Sequence, residues 1–280
     1  MGYSSIAIYG MGRFGRALAG ALPEGLLVRT GGRSVAPTGF EADYAQGVAA
    51  FLKDLPGSLI VLSVPDDALE SVAKEFAALP GARAHDFVHT SGARGAEAIQ
   101  ELADSNLGVF HILQSFPPEG GAELVAGSYV TVAGDQILVD GLVDLAEALQ
   151  LHVVKQPDPF GRAAYHAAAV LASNSLVALL DIGRELLEQS GIPADESAKM
   201  LVPLVRGTLA NVQSQGLYEG LTGPVVRGDA GTIERHLGVL KGKPRQAYVA
   251  MMLAVADTAE GSGRTPDDKL KRIRDLLNQG

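Results

Sequence analysis

The 280-residue chain has no cysteine, which excludes disulfides, thiolate nucleophiles and cysteine-ligated metal centres. It has no basic run either. Its 23 Lys and Arg stand against 32 Asp and Glu, a net charge of −9, and that balance argues against a nucleic-acid or anionic-membrane partner. The six histidines are scattered and H-E-x-x-H is missing, so no metal site is expected. The G-x-S-x-G nucleophile elbow is missing too. No basic-plus-apolar leader precedes the first strand pattern, which makes the cytoplasm the default expectation. Charged residues are only 20% of the chain and hydrophobic ones 47%, enough apolar material for a sizeable core in one large or two ordinary domains.

What is present, first of all, is a glycine loop, Gly10-Met11-Gly12-Arg13-Phe14-Gly15. Ser5-Ile6-Ala7-Ile8-Tyr9 before it reads as a buried strand, and Arg16 to Leu22 after it reads as a helix. In that setting G-x-G-x-x-G is a dinucleotide fingerprint. The first glycine permits the tight turn, the second lets backbone approach a pyrophosphate, and the third lets helix and strand pack closely. The helix N-terminus offers free N–H groups and a partial positive charge. Arg13, a cation in the first turn, opposes the helix dipole unless an anion sits there. The plain alternative is a structural turn.

The second strand, Leu26 to Thr30, lacks the acidic residue that would bind a ribose 2′-hydroxyl. It runs into Arg29-Thr30-Gly31-Gly32-Arg33-Ser34 instead, where guanidinium and hydroxyl groups suit a 2′-phosphate. The expectation is NADP(H), held by Arg33 and Ser34 first and Arg29 second, against solvated surface arginines as the alternative. Glu41 to Leu52 reads as a helix. Leu59 to Val64 reads as a strand whose carboxyl end, Val64-Pro65, lies where nucleotides bind in doubly wound sheets. Strands at Asp86 to Thr90 and Leu107 to Ile112 end in His89-Thr90-Ser91 and His111, with a helix from Gly95 to Ala103 between them. Ligands sit at such strand ends, although either histidine alone can be a satisfied structural residue. Strands at Ser128 to Ala133 and Leu151 to Val154 flank a helix near Gln136 to Leu149.

From Asp158 the rhythm is helical: about Phe160 to Ser190, Ala194 to Gln215, Asp229 to Leu240, Pro244 to Ala259 and Pro266 to Asn278. The expected division is residues 1–156, nucleotide-binding, and 157–280, helical. Ala163 to Leu180 is mostly apolar but contains His166, Ser173 and Asn174, which predicts a buried central helix rather than a membrane span. His166, Val170 and Asn174 are spaced i, i+4, i+8 and share a helix face. Buried polar groups there need partners, either neighbouring helices or nicotinamide and substrate. In Leu221 to Asp229, Arg227 suits an anionic substrate group, or pairing with Asp229 or Glu234.

Taken together, YGMGRFG, VPDD, HTSGA, FHILQSF, YHAAAVLASN and LTGPVVRGD resemble the Rossmann-like two-domain proteins whose C-terminal helical domain has no established function. That family is similar to pyrroline-5-carboxylate reductases, deazaflavin-dependent NADP reductases and the β-hydroxyacid and 6-phosphogluconate dehydrogenases. The resemblance implies an NADP-binding Rossmann domain, a helical domain that forms a homodimer, and a site in the cleft between them. The chain departs from the pattern twice. Ile112 stands where the family has proline. Val170 stands four residues before Asn174, where β-hydroxyacid dehydrogenases carry a catalytic lysine. The lysine mechanism does not carry over, and His166, one turn earlier, is the titratable replacement.

The resulting expectation is an α/β doubly wound domain followed by an all-α domain, forming an NADP(H)-dependent oxidoreductase for a small carbonyl, hydroxy-acid or imine substrate. Ser91 and the Gly92 backbone hold the substrate, and Ser91 also meets the cofactor. His166 is the acid/base, Asn174 orients it or the substrate, and His111 is the second acid/base candidate. The alternative is a non-catalytic NADP(H)-binding sensor or scaffold.

Overall fold

The computed structural model describes residues 2–155 and 161–279. The chain divides into two compact units, Met1–Ser173 and Asn174–Gly280.

The first unit is built on eight strands: β1 (Ile6–Tyr9), β2 (Leu27–Gly32), β3 (Tyr44–Gln46), β4 (Leu59–Leu62), β5 (Asp86–His89), β6 (Leu107–Ile112), β7 (Tyr129–Gly134) and β8 (His152–Lys155). They form one sheet in the order β3-β2-β1-β4-β5-β6-β7-β8. Every neighbouring pair is parallel except β6 with β7. The chain starts at β1, winds outward to β3, and returns through β4 to the other edge. The direction of winding therefore reverses between β1 and β4, the position at which doubly wound sheets bind ligands.

Every residue of β1 and β4 is buried, as expected of central strands covered on both faces. Their side chains alternate between two cores. Ile6, Ile8, Leu59 and Val61 pack with α1 (Arg13–Ala21) and α4 (Gln136–Ala148). Ala7, Tyr9, Ile60 and Leu62 pack with α2 (Val48–Leu52) and α3 (Leu69–Ala77). In α3 the buried residues are Leu69, Val72, Ala73 and Phe76, the spacing of one helix face. Tyr9, Phe51, Phe76 and Phe87 meet edge-to-face, with ring centroids 5.2 to 5.8 Å apart.

The helix α5 (Arg162–Ala172) belongs to this unit, and the expected junction at 156–157 lies outside the described residues. The expected helix over 41–52 is instead β3 followed by α2, because Gly47 turns at φ +83° between them and Tyr44–Gln46 pairs with β2. Residues 96–102 form 3-10 rather than α turns.

The second unit contains α6 (Asn174–Gln189), α7 (Ala194–Glu219), α8 (Ala230–Val239), α9 (Gly242–Ser262) and α10 (Asp267–Asn278). Val225, Ile233, Ala256, Ala259, Leu270, Ile273 and Leu277 make its core. Regular helix in α7 ends at Gly216, which adopts φ +84°.

The expected single helix over 160–190 is two. It breaks at Ser173 (φ −116°, ψ −72°), whose hydroxyl donates back to the Ala169 carbonyl at 2.7 Å, a bond that competes with helix continuation. Nor is this stretch a buried core helix. Taken as one run, Arg162–Gln189 has the length and apolar composition to cross a membrane, yet none of its apolar window is buried. Leu171, Val177 and Leu179 are exposed. Within its unit α6 packs chiefly on α7, which leaves its other sides uncovered.

Candidate functional site

The three glycines of the loop have three different reasons to be glycine. Gly10 has φ +108°, and a Cβ there would lie 2.2 Å from the Ser63 carbonyl oxygen. A Cβ on Gly15 would lie 2.1 Å from the Gly10 carbonyl oxygen, so this glycine sets the approach of α1 to β1. Gly12 has an ordinary φ of −71° and a Cβ there would meet no protein atom within 4 Å. Nothing inside the protein requires glycine at 12; the space is open for something outside it. Gly12 caps α1 without a side-chain hydrogen bond, and the first turn has no acidic residue, so its N–H groups face outward with the positive end of the helix dipole.

Beside this turn is a cavity of about 370 Å³, lined by Tyr9, Gly10, Met11, Gly12, Gly32, Arg33, Ser34, Val64 and Pro65 among others. The Tyr9 hydroxyl on its wall is buried with no hydrogen-bond partner among the described residues. Burial, helped by the Glu75 carboxylate, pushes this phenol up, so it is a protonated donor. The half-exposed Arg33 guanidinium contacts Glu75 Oε1 at 2.7 Å and Ser71 Oγ at 3.2 Å. Tyr44 donates to the Ser34 carbonyl at 2.7 Å and so fixes the loop. A glycine turn with spare room, free helix N–H groups, an orphaned phenol and a movable cation fit a phosphorylated dinucleotide.

Of the other residues expected here, Arg13 is exposed in the first turn of α1. Phe14 packs its ring on Phe116 at 5.6 Å, as part of the core. Arg29 is used elsewhere: its Nη1 donates to the Phe51 carbonyl at 2.9 Å and to the Lys53 carbonyl, closing the end of α2. A larger hollow, about 650 Å³ and lined by Tyr3, Arg83, His85 and Asp86 among others, opens at the amino ends of the strands. It lies at the end of the sheet opposite the glycine turn, and the helix N-terminus at its wall, that of α4, has the acidic Asp135 at its cap position.

A second cluster forms at the carboxyl ends of β5 and β6. His89 Nε2 is 2.8 Å from the Gly95 carbonyl oxygen, and its Nδ1 accepts from the Ser91 N–H at 3.2 Å. That pairing fixes the Nε2–H tautomer, and burial pushes His89 down to about 4. His89 is a structural histidine that shapes the turn after β5. Ser91 Oγ accepts from the N–H groups of Ala93 and Arg94 at 3.2 and 3.1 Å; its own O–H is used in neither bond. A Cβ on Gly92 would lie 2.8 Å from His111 Nε2, so glycine here lets the imidazole rest on the backbone. His111 Nδ1 is 2.8 Å from the Tyr165 hydroxyl of α5. Burial, with Arg162 and His166 nearby, pushes His111 down to about 4, while burial raises Tyr165. At neutral pH this is a neutral imidazole bonded to a protonated phenol.

On the same helix Arg162 is 2% exposed, and neither terminal guanidinium nitrogen has a hydrogen-bond partner among the described residues. His166 Nδ1, one turn further on, is also buried and unpartnered. The first unit thus brings together Ser91, Gly92, His111 and His166 from the expected set. Asn174 and Arg227 lie in the second unit: Asn174 is exposed at the start of α6, and Arg227 is exposed before Asp229, which caps α8 through the Thr232 N–H at 3.0 Å. The break at Ser173 removes the continuous helix that would have put Asn174 on the His166 face. Arg162 and Tyr165 were not among the expected residues. Arg162 carried a readable signal, a lone cation in the first turn of an apolar helix.

Two family models match the chain: a Rossmann-like domain over residues 52–110 and a domain of unknown function (DUF2520) over residues 128–255. No curated protein matches the sequence. Among solved structures, a Bacteroides fragilis protein described as an NADP oxidoreductase is similar at 22% identity, over 93% of this chain and 98% of its own, with TM-score 0.69. A Thermotoga maritima protein is similar at 21% identity over 98% of each chain, TM-score 0.64. A Plasmodium falciparum pyrroline carboxylate reductase with NADP bound is similar at 11% identity over 98% of each chain, TM-score 0.62. The shared feature is the fold.

Gly15→Ala is expected to cost about 1–3 kcal/mol through the clash with Gly10, whereas Gly12→Ala leaves denaturant stability unchanged. Equal losses in urea unfolding would contradict the separate roles of the two glycines. For pH, His89 and His111 have folded values near 4 against an unfolded value near 6.5. The unfolded chain therefore binds more protons between these limits. The stability these residues contribute is complete above about pH 6.5 and falls as pH drops towards 4, by about 1.4 kcal/mol per unit per histidine at most. His89→Gln, measured by unfolding from pH 7 to 4.5, is expected to flatten that slope; an unchanged slope would contradict it.

Proposed function

We propose that the protein is an NADP(H)-dependent oxidoreductase that transfers hydride between the nicotinamide and a small carbonyl, hydroxy-acid or imine substrate. The observation that carries the reading is Gly12, a glycine with no conformational or internal steric need to be one, at the uncapped N-terminus of α1 and beside a cavity of about 370 Å³. Gly10 to Gly12 and the first N–H groups of α1 hold the pyrophosphate. Arg33, turned from Glu75, and Ser34 hold a 2′-phosphate, which makes the preference NADP(H) rather than NAD(H). The bound nicotinamide supplies or accepts the hydride.

The chain's own groups then manage the proton. His166, whose Nδ1 is buried and unpartnered, donates to or accepts from the reacting oxygen or nitrogen. The neutral His111–Tyr165 pair backs it with a second protonated donor, and Ser91 positions the substrate through its uncommitted O–H. Val170 stands where related dehydrogenases have lysine, so a non-catalytic NADP(H) sensor is the rival reading, one that binds the nucleotide without oxidising it. We further propose a cytoplasmic protein that forms a homodimer through its helical half. A second copy would cover exposed Val177, Leu179 and Leu204.

Fluorescence titration is expected to show NADPH binding more tightly than NADH. Arg33→Ala should weaken NADPH by about 10- to 100-fold, the loss of one or two charge-assisted hydrogen bonds, and leave NADH unchanged. Binding of neither nucleotide would overturn the reading. With a panel of oxo acids and imines, wild-type protein should oxidise NADPH, and His166→Ala should lower kcat by about 10²- to 10⁴-fold; bound NADPH that no member oxidises would favour the sensor. Sedimentation should give twice the 29.1 kDa chain mass, and a monomer that persists at high concentration would contradict the dimer.

A further inference from the structure

Arg162 is the largest side chain in the protein with almost no exposure, yet neither of its terminal nitrogens has a hydrogen-bond partner among the described residues. A buried, unpartnered guanidinium is costly, because the charge loses water and gains nothing in return. Its charge is nevertheless felt by its neighbours. Glu97 attracts it without bonding to it, the Glu97 carboxylate being used to accept from the Gly95 N–H at 3.0 Å. His89 and His111 are both disfavoured as cations by its presence, in addition to their burial. One turn along α5, His166 Nδ1 is buried and orphaned as well. Two unsatisfied groups at i and i+4 on one helix, next to a neutral His–Tyr pair, suit a polar ligand.

We propose that Arg162 binds a carboxylate on the substrate, so that the substrates are oxo, hydroxy or imino acids rather than neutral carbonyl compounds or imines. This deepens the preceding reading and rests on it. The two free terminal nitrogens of a guanidinium match the two oxygens of a carboxylate. One cation balances one negative charge, and His89 and His111, which burial pushes down to about 4, supply no second one, which disfavours a dianionic phosphate. With the carboxylate held at Arg162, the adjacent carbon bearing the C=O or C=N group comes within the reach of a side chain one turn away, His166.

The test uses the full-length protein with NADP+ bound, in wild-type, Arg162→Met and Arg162→Lys forms, and reads melting temperature against three probes: 2-oxobutanoate, 2-oxobutanamide and inorganic phosphate. The expected result is that 2-oxobutanoate stabilises the wild type and the amide and phosphate do not. Its apparent affinity falls at least about 30-fold in Arg162→Met, as for the truncation of a buried charge partner, and is partly kept in Arg162→Lys. Without probes, Arg162→Met should melt at or above the wild-type temperature, because it removes an uncompensated charge. Three results would each overturn the assignment: equal effects of the oxo acid and its amide, an Arg162-dependent effect of phosphate alone, or no effect of any probe. A lower melting temperature of Arg162→Met without probes would also overturn it, by showing that Arg162 is structural. Nucleotide binding is followed separately by fluorescence. Its loss sinks the cofactor reading, whereas a failed carboxylate test with nucleotide bound sinks only this one.

Discussion

The whole first unit hangs on how closely one helix approaches one strand. A Cβ on Gly15 would stand 2.1 Å from the Gly10 carbonyl oxygen, and one on Gly10 would stand 2.2 Å from the Ser63 carbonyl oxygen. Only glycine lets the turn after β1 tuck under α1 and beside the end of β4. That contact seats α1 over the sheet, where Ala17 and Leu18 complete one core. It also aims the free N–H groups of α1 at the point where the winding of the sheet reverses. The fold and the open N-terminus of α1 are therefore consequences of one steric condition.

From that condition the sheet does the rest. Central strands with every side chain buried send alternate residues into two separate cores, and the same parallel register lines up the carboxyl ends of β4, β5 and β6. Polar groups gather where the apolar residues of the strands run out. Some of them are spent on architecture: His89 is bonded through both ring nitrogens, and Ser91 holds the turn that follows. Others are left with unused capacity, namely Tyr9, Arg162 and His166. The cost of leaving such groups unsatisfied is what separates a ligand site from scaffold here.

Much of this was legible in the sequence where local pattern and burial coincide. The strand–G-x-G-x-x-G–helix run, the apolar Leu59 to Val64 and the shift to helical spacing after residue 158 each carry a period that survives into the structure. Residues 41–52 were not legible as they stand, because edge pairing of Tyr44–Gln46 and the positive φ of Gly47 override helix-like composition. Arg33 was expected at the 2′-phosphate first and Arg29 second, and Arg29 reaches the end of α2 while Arg33 lines the cavity. The difference lies in position: Arg29 is inside β2, whereas Arg33 follows its end at Gly32. Tyr165 gains meaning only when α5 is laid against β6, through its bond to His111. The apolar run after residue 162 read as core, and its exposure follows from how few neighbours α6 has within its unit.

The central claim is that the turn after β1 holds a phosphorylated nicotinamide nucleotide whose reactive ring lies at the ends of β5 and β6. A crystal structure of the protein grown with NADP+ tests it most directly. The account requires the pyrophosphate on the Gly12 backbone and the N-terminus of α1, the 2′-phosphate on Arg33 with its Glu75 contact broken, and the nicotinamide beside Gly92 and His111. Nucleotide bound elsewhere, or bound with its nicotinamide directed away from His111, would contradict it.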